Sequence, residues 1–172
     1  MPDQSDQEFV IARVFDAPRD LVWKALTESE RLMHWWGPKG FTMSVCKVDL
    51  RPGGLFHYAM RAPNGGEMWG RWVYREIVPP ERLVFVNSFS DEAGNIVRAP
   101  FNAAWPLEVL NVVTFSELAG NTTITIRGGP INATEEERKT FHAARQSMEQ
   151  GFGGTFDQLD AYLASLRVGG RS

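Results

Sequence analysis

The sequence predicts an α+β fold in which an antiparallel sheet of about six or seven strands is interrupted by two short helices and closed by a long C-terminal helix. Three observations carry that prediction. Segments rich in β-branched and aromatic residues recur between residues 8 and 127, separated by turns such as Pro52-Gly53-Gly54, Asn64-Gly65-Gly66 and Ala119-Gly120-Asn121, whose residue types suit tight reversals. Helical periodicity enters that region once, between Pro18 and Trp36. It then dominates residues 134–167, where apolar side chains recur at steps of three and four.

Residues 8–15 (EFVIARVF) suit a first strand, which Asp16-Ala17-Pro18 ends. Pro18 fits the first turn of a helix, and Leu21, Val22, Ala25 and Leu26 then share one helical face. Thr27 followed by Glu30 has capping-box spacing, so a second helix is expected to start there and to carry Leu32, Met33, Trp35 and Trp36 as far as Gly37-Pro38. Strands are expected over 43–50, 55–61, 67–78, 82–89, 107–118 and 121–127. The connector 90–106 is long for a hairpin, and its Ile96, Val97, Phe101 and Trp105 point to a lid. A second capping box, Thr134 and Glu137, opens the last helix, whose stripe runs through Phe141, Ala144, Met148, Phe152, Phe156, Leu159, Leu163 and Leu166.

At 172 residues the chain has the size of one domain, taken as 8–167, with 1–7 and 168–172 as flexible termini. Hydrophobic residues make up 43% and charged residues 23%, which is globular and not disordered composition. A net charge of -3 gives no basic surface for nucleic acid. The polar N-terminus MPDQSDQE lacks the features of a signal peptide, and no apolar run approaches the roughly 18 residues of a membrane span. With Cys46 as the lone cysteine, the expected location is the cytoplasm.

Three segments in register carry a resemblance: Ala17-Pro18 through Trp35-Trp36-Gly37-Pro38, then RPGGLFHYAM with REIVPPERLVF, and MEQGFGGTFDQLDAYL. They are similar to the bacterial homologues of the C-terminal domain of the activator of the 90-kDa heat-shock protein ATPase, within the START-like (SRPBCC) superfamily. The resemblance implies a helix-grip fold, with the long helix laid across the concave face of a curved sheet and a cavity between them. It also implies binding of lipids, hormones or polyketides, catalysis of cyclisation or hydrolysis in a minority of members, and possible contact with a chaperone. Where such relatives often carry a tryptophan, this chain has Phe152 followed by Gly153-Gly154, which leaves more room in the cavity.

Adjacent helical residues diverge by about 100°, so Trp35 and Trp36 cannot both enter one core. They seal the end of the sheet, or one of them forms the mouth of the cavity. Phe56, Tyr58 and Met60 alternate onto one face of their strand, as do Trp72, Tyr74 and Glu76 on the next. His57, out of phase, belongs on the opposite face. The cavity-lining set is therefore Trp35, Trp36, Phe56, Tyr58, Met60, Trp72, Tyr74, Glu76, Phe85, Met148 and Phe152. Glu76 is either an acid or base in an apolar pocket or an exposed ion pair with Arg71 or Arg75.

No catalytic residue is assigned. His34, His57 and His142 have no metal-ligand spacing, no GxSxG or phosphate loop occurs, and Cys46 reads as an inert buried thiol, so neither metal nor cofactor is expected. Gly151, Gly153 and Gly154 each cost on the order of 1 kcal/mol in a helix and call for close packing, a kink or room for a guest. The expected function is non-catalytic binding of a small apolar or amphipathic molecule. The alternatives are a cyclase or hydrolase using Glu76, Tyr58, Tyr74 or Arg71, and a chaperone-activator-like interaction module.

Overall fold

The elements run β1 (Phe9–Phe15), α1 (Arg19–Thr27), α2 (Ser29–Trp35), β2 (Thr42–Val48), β3 (Leu55–Arg61), β4 (Glu67–Val78), β5 (Arg82–Phe89), β6 (Val109–Leu118), β7 (Asn121–Pro130), α3 (Glu135–Ala143) and α4 (Arg145–Gly169). They come from a computed structural model that describes residues 9–37, 40–100 and 102–169. The expected flexible segment 1–7, together with Pro38, Phe101 and residues 170–172, lies outside the described residues. The seven strands form one antiparallel sheet in the order β1-β7-β6-β5-β4-β3-β2, so the chain's first strand pairs with its last. This is the helix-grip architecture, with α1, α2 and α4 on one face.

Cross-strand pairing decides what that face contains. Phe56 lies opposite Trp72, Tyr74 opposite Phe85, Phe85 opposite Asn111, and Val113 opposite Ile126. Directly opposed residues share a face, so one continuous inner surface crosses five strands. The main core gathers those side chains with Val22, Ala25 and Leu26 of α1, Leu32 and Trp35 of α2, and Phe156, Leu159 and Leu163 of α4. A smaller cluster of Phe9, Val109 and Phe141, with Trp105 and Met148 against it, closes the other end.

Three expectations change. Thr27 does not cap α2: it is the last residue of α1, where its hydroxyl donates to Trp23 O at 2.8 Å, and α2 starts at Ser29 without a side-chain cap. A back-bond to the carbonyl four residues earlier competes with capping for the same oxygen. The long helix is broken at Ala144 (φ -89°, ψ 5°), so the apolar stripe is shared by α3 and α4. At its far end α4 runs on through residues 168 and 169, expected in a flexible terminus. The Thr134 and Glu137 capping box at the start of α3 is present in full.

The third change concerns the 90–106 connector, which folds against the outer face of the sheet and then against α3. His57 Nε2 meets Asp91 O at 3.1 Å, and Arg71 Nη1 donates to Gly94 O at 2.9 Å. Farther along, Arg98 pairs with Glu137, and the ring of Trp105 lies 5.5 Å from that of Phe141. Outward-facing polar groups of β3 and β4 supply the hydrogen bonds that draw the connector away from the inner surface.

Candidate functional site

The sheet side of the site is a set of interlocked rings. Trp72 and Phe85 stack with centroids 3.8 Å apart, and Phe56 meets Trp72 edge-on at 4.8 Å. Gly70 sits across from Tyr58, and a Cβ there would lie 2.5 Å from Tyr58 Oη. Only glycine leaves the Tyr58 ring its place. Asn87 Nδ2 donates to Tyr58 Oη and to Arg71 O, both at 3.3 Å. Burial raises the Tyr58 hydroxyl's pKa, and the Asn87 hydrogen bond works against it.

The two neighbouring tryptophans both reach one inner cavity, contrary to the expectation from helical spacing, because α2 ends at Trp35 and Trp36 is extended. Trp35 is buried, and its Nε1 donates to Ala25 O at 2.9 Å, which ties α2 to α1. Trp36 follows the helix in an extended conformation and packs edge-on against Trp72 at 5.0 Å. Its Nε1 is buried without a hydrogen-bond partner. Gly37 then takes φ +114°, and a Cβ on it would come within 2.7 Å of Met60 Sδ. Positive φ and close approach both require glycine there.

α4 closes the site from above. Thr155 Oγ1 donates to Gly37 O at 3.1 Å and Gln158 Nε2 to the same carbonyl at 2.5 Å, with a second contact to Trp35 O at 3.1 Å. On the opposite side, Arg13 of β1 pairs with Asp157 at 2.7 Å and donates to Gly153 O at 3.2 Å. α4 is therefore pinned at the corner and at the edge strand. Between the pins, a Cβ on Gly151 or Gly153 would meet nothing within 4 Å.

Two hollows result. An inner cavity of about 120 Å³ lies among Trp35, Trp36, Trp72, Phe85, Val113, Ile126, Phe152 and Phe156, with Leu26 from α1 and the amides of Asn87 and Asn111. A more open chamber of about 210 Å³ adjoins it, lined by Trp36, Gly37, Met60, Met148, Gly151, Phe152 and Thr155. Trp36 and Phe152 line both. They form the partition between the chamber and the cavity. A water needs roughly 10–15 Å³ of such space, so the inner cavity exceeds a few solvent molecules. Among the described residues, no side chain lining it is titratable.

A family model described as "Activator of Hsp90 ATPase homolog 1-like protein" matches residues 16–164. The chain belongs to this family. No curated protein matches it. Among solved structures it is similar to protein Ms6760 from Mycobacterium smegmatis, at 28% identity and TM-score 0.75, covering 95% of this chain and 94% of that one. It is also similar to a protein from Arthrobacter aurescens, at 28% identity and TM-score 0.77 over 96% and 90% of the two chains. Protein NE0264 from Nitrosomonas europaea matches at 27% and 0.75, over 95% and 98%. The Hsp90-activator-homologue family thus accounts for the sheet, the corner and the last helix as one arrangement.

Within that family frame, the predicted lining residues separate into three groups. Trp35, Trp36, Trp72, Phe85 and Phe152 line the inner cavity, and Met60 and Met148 line the outer chamber with Trp36 and Phe152. Phe56, Tyr58 and Tyr74 are buried behind them in the core. Burial, and secondarily nearby Cys46 and Asp49, raises the pKa of the Tyr74 hydroxyl, which has no hydrogen-bond partner. Glu76 stands apart: a bulge between Tyr74 and Glu76 breaks the alternation, and its exposed carboxylate meets Arg82 Nε at 3.3 Å. Its partner is neither Arg71 nor Arg75.

Asn87 and Asn111 went unread in the sequence because polar residues inside strands are normally assigned to the solvent face. Their phase was the available signal, since Asn87 is two residues from Phe85. Among the described residues no group of three or more His, Cys, Asp or Glu side chains is placed to hold a metal ion. No helix among them is long and apolar enough to cross a membrane. Burial pushes the Cys46 thiol up to about 11, which keeps it protonated near neutral pH.

Proposed function

We propose that the protein binds a small apolar or amphipathic molecule in the inner cavity and performs no chemistry on it. The observation that carries this reading is the aromatic-walled volume of about 120 Å³, which shares Trp36 and Phe152 with a more open chamber. Cavities of this kind favour apolar guests because ring surface leaves water on binding. A lining whose described residues are aromatic, aliphatic and amide side chains supports binding over acid–base catalysis. Titration with toluene, followed through the protein's tryptophan fluorescence, tests it. Saturable binding near one equivalent is expected, weakened at least fivefold by Phe152→Ala; a linear, non-saturating response would reject the reading.

The family description names an activator of a chaperone ATPase, and this supports a second reading as a chaperone-binding module. A pull-down against the host Hsp90-type chaperone at physiological salt tests that reading. Specific retention favours it, and recovery no greater than on blank resin removes it.

A further inference from the structure

Among the described residues, the polar groups of the inner cavity besides the orphaned Trp36 Nε1 lie where Asn87 of β5 and Asn111 of β6 enter its lining. Asn87 pairs with Val109 and Asn111 with Phe85, so the two amides are diagonal neighbours on the inner face. Such positions lie about 7–8 Å apart. That gap suits a single polar atom hydrogen-bonded to both.

The hydrogen bonds already made decide what that atom must be. Asn87 Nδ2 gives its two protons to Tyr58 Oη and Arg71 O, which leaves Oδ1, an acceptor, for a guest. Asn111 Nδ2 donates once, to Val109 O at 3.2 Å, and so retains one N–H and its Oδ1. Gly128 makes room for this amide: a Cβ there would lie 3.0 Å from Asn111 Oδ1 and 2.7 Å from Leu110 O. A hydroxyl satisfies the pair, donating to Asn87 and accepting from Asn111. A carboxylate does not, because it offers acceptors only and would enter a lining without a cation.

Resting on the binding reading above, we infer that the amide pair of Asn87 and Asn111 selects an uncharged, ring-sized guest bearing a hydroxyl of the phenol or alcohol type. The hydroxyl anchors at the sheet end, and the apolar remainder lies toward Phe152 and Trp36. An engineered apolar cavity of about 150 Å³ accepts benzene, so one of about 120 Å³ holds no more than a single ring.

The test uses phenol, toluene and benzoate on the full chain, followed by NMR shifts of the tryptophan indole protons. Phenol is expected to bind at least as tightly as toluene although its hydroxyl is harder to strip from water. Benzoate should bind at least tenfold more weakly than phenol. Asn87→Leu and Asn111→Leu, made separately in case one does not fold, should each shift the phenol-to-toluene affinity ratio at least tenfold toward toluene. An unchanged ratio in the folded variants, or benzoate held as tightly as phenol, overturns the amide anchor while the cavity stands. Failure of both phenol and toluene to bind the native protein removes the cavity reading and this inference together.

Discussion

The two walls of the cavity are built on opposite principles. On the sheet side, Phe56, Trp72 and Phe85 are at most 5% exposed and hold one another by stacked and edge-on contacts. On the helix side, Gly151 and Gly153 face open space, Phe152 is only half-buried, and Trp36 holds no hydrogen bond through its indole nitrogen. Trp36 is held by edge-on ring contacts to Tyr58 and Trp72, whereas Trp35 is also tied by a hydrogen bond to Ala25 O. On the proposed binding reading, the contrast teaches a division of labour: the sheet sets the shape a guest must match, and the helix side supplies the freedom to let it in.

The largest expected effect breaks the rigid wall. Trp72→Ala removes a ring that touches Trp36, Phe56, Tyr74 and Phe85, and losses of this kind cost about 3–5 kcal/mol. Urea unfolding should show that loss with an unchanged slope. A loss below about 1 kcal/mol would mean the wall is slack and the comparison false. Gly70→Ala ranks next. Its methyl would collide with the Tyr58 ring, whose place is held by Asn87, and overpacking of this sort costs about 1–3 kcal/mol. Stability unchanged from the native protein would show that Tyr58 moves freely, and with it the Asn87 amide of the proposed anchor.

The two walls also differed in how far they could be read in advance. Alternation in β3 and β4 placed Phe56, Tyr58, Trp72 and Tyr74 on the inner face, because the period of a strand is local and survives folding. It failed at Glu76, where a single bulge reverses the phase and turns the carboxylate out to Arg82. The stripe of α4 was equally legible through Phe156, Leu159 and Leu163. The break at Ala144 was not, since nothing in its immediate neighbourhood is a helix breaker and the turn follows from packing Phe141 into the smaller cluster. The connector 90–106 was misplaced for a related reason. Its apolar residues fit an inward lid as well as an outer strap, and the choice rests on His57 and Arg71, which are far away in sequence.

Gly153→Ala gives the smallest effect and the sharpest one, because its sign is opposite. A methyl at this site meets no atom within 4 Å, so no clash offsets the gain in helix propensity. The carbonyl that accepts from Arg13 is retained, so the pin to β1 survives. The variant should be more stable by about 0.5–1 kcal/mol. If the glycines are there to let α4 yield, the same change should slow both entry and exit of toluene in stopped-flow tryptophan-fluorescence traces while leaving its affinity within about twofold, since a barrier common to both directions cancels in the equilibrium. Greater stability with unaltered rates would place the entry route elsewhere and reduce the helix wall to a second rigid surface.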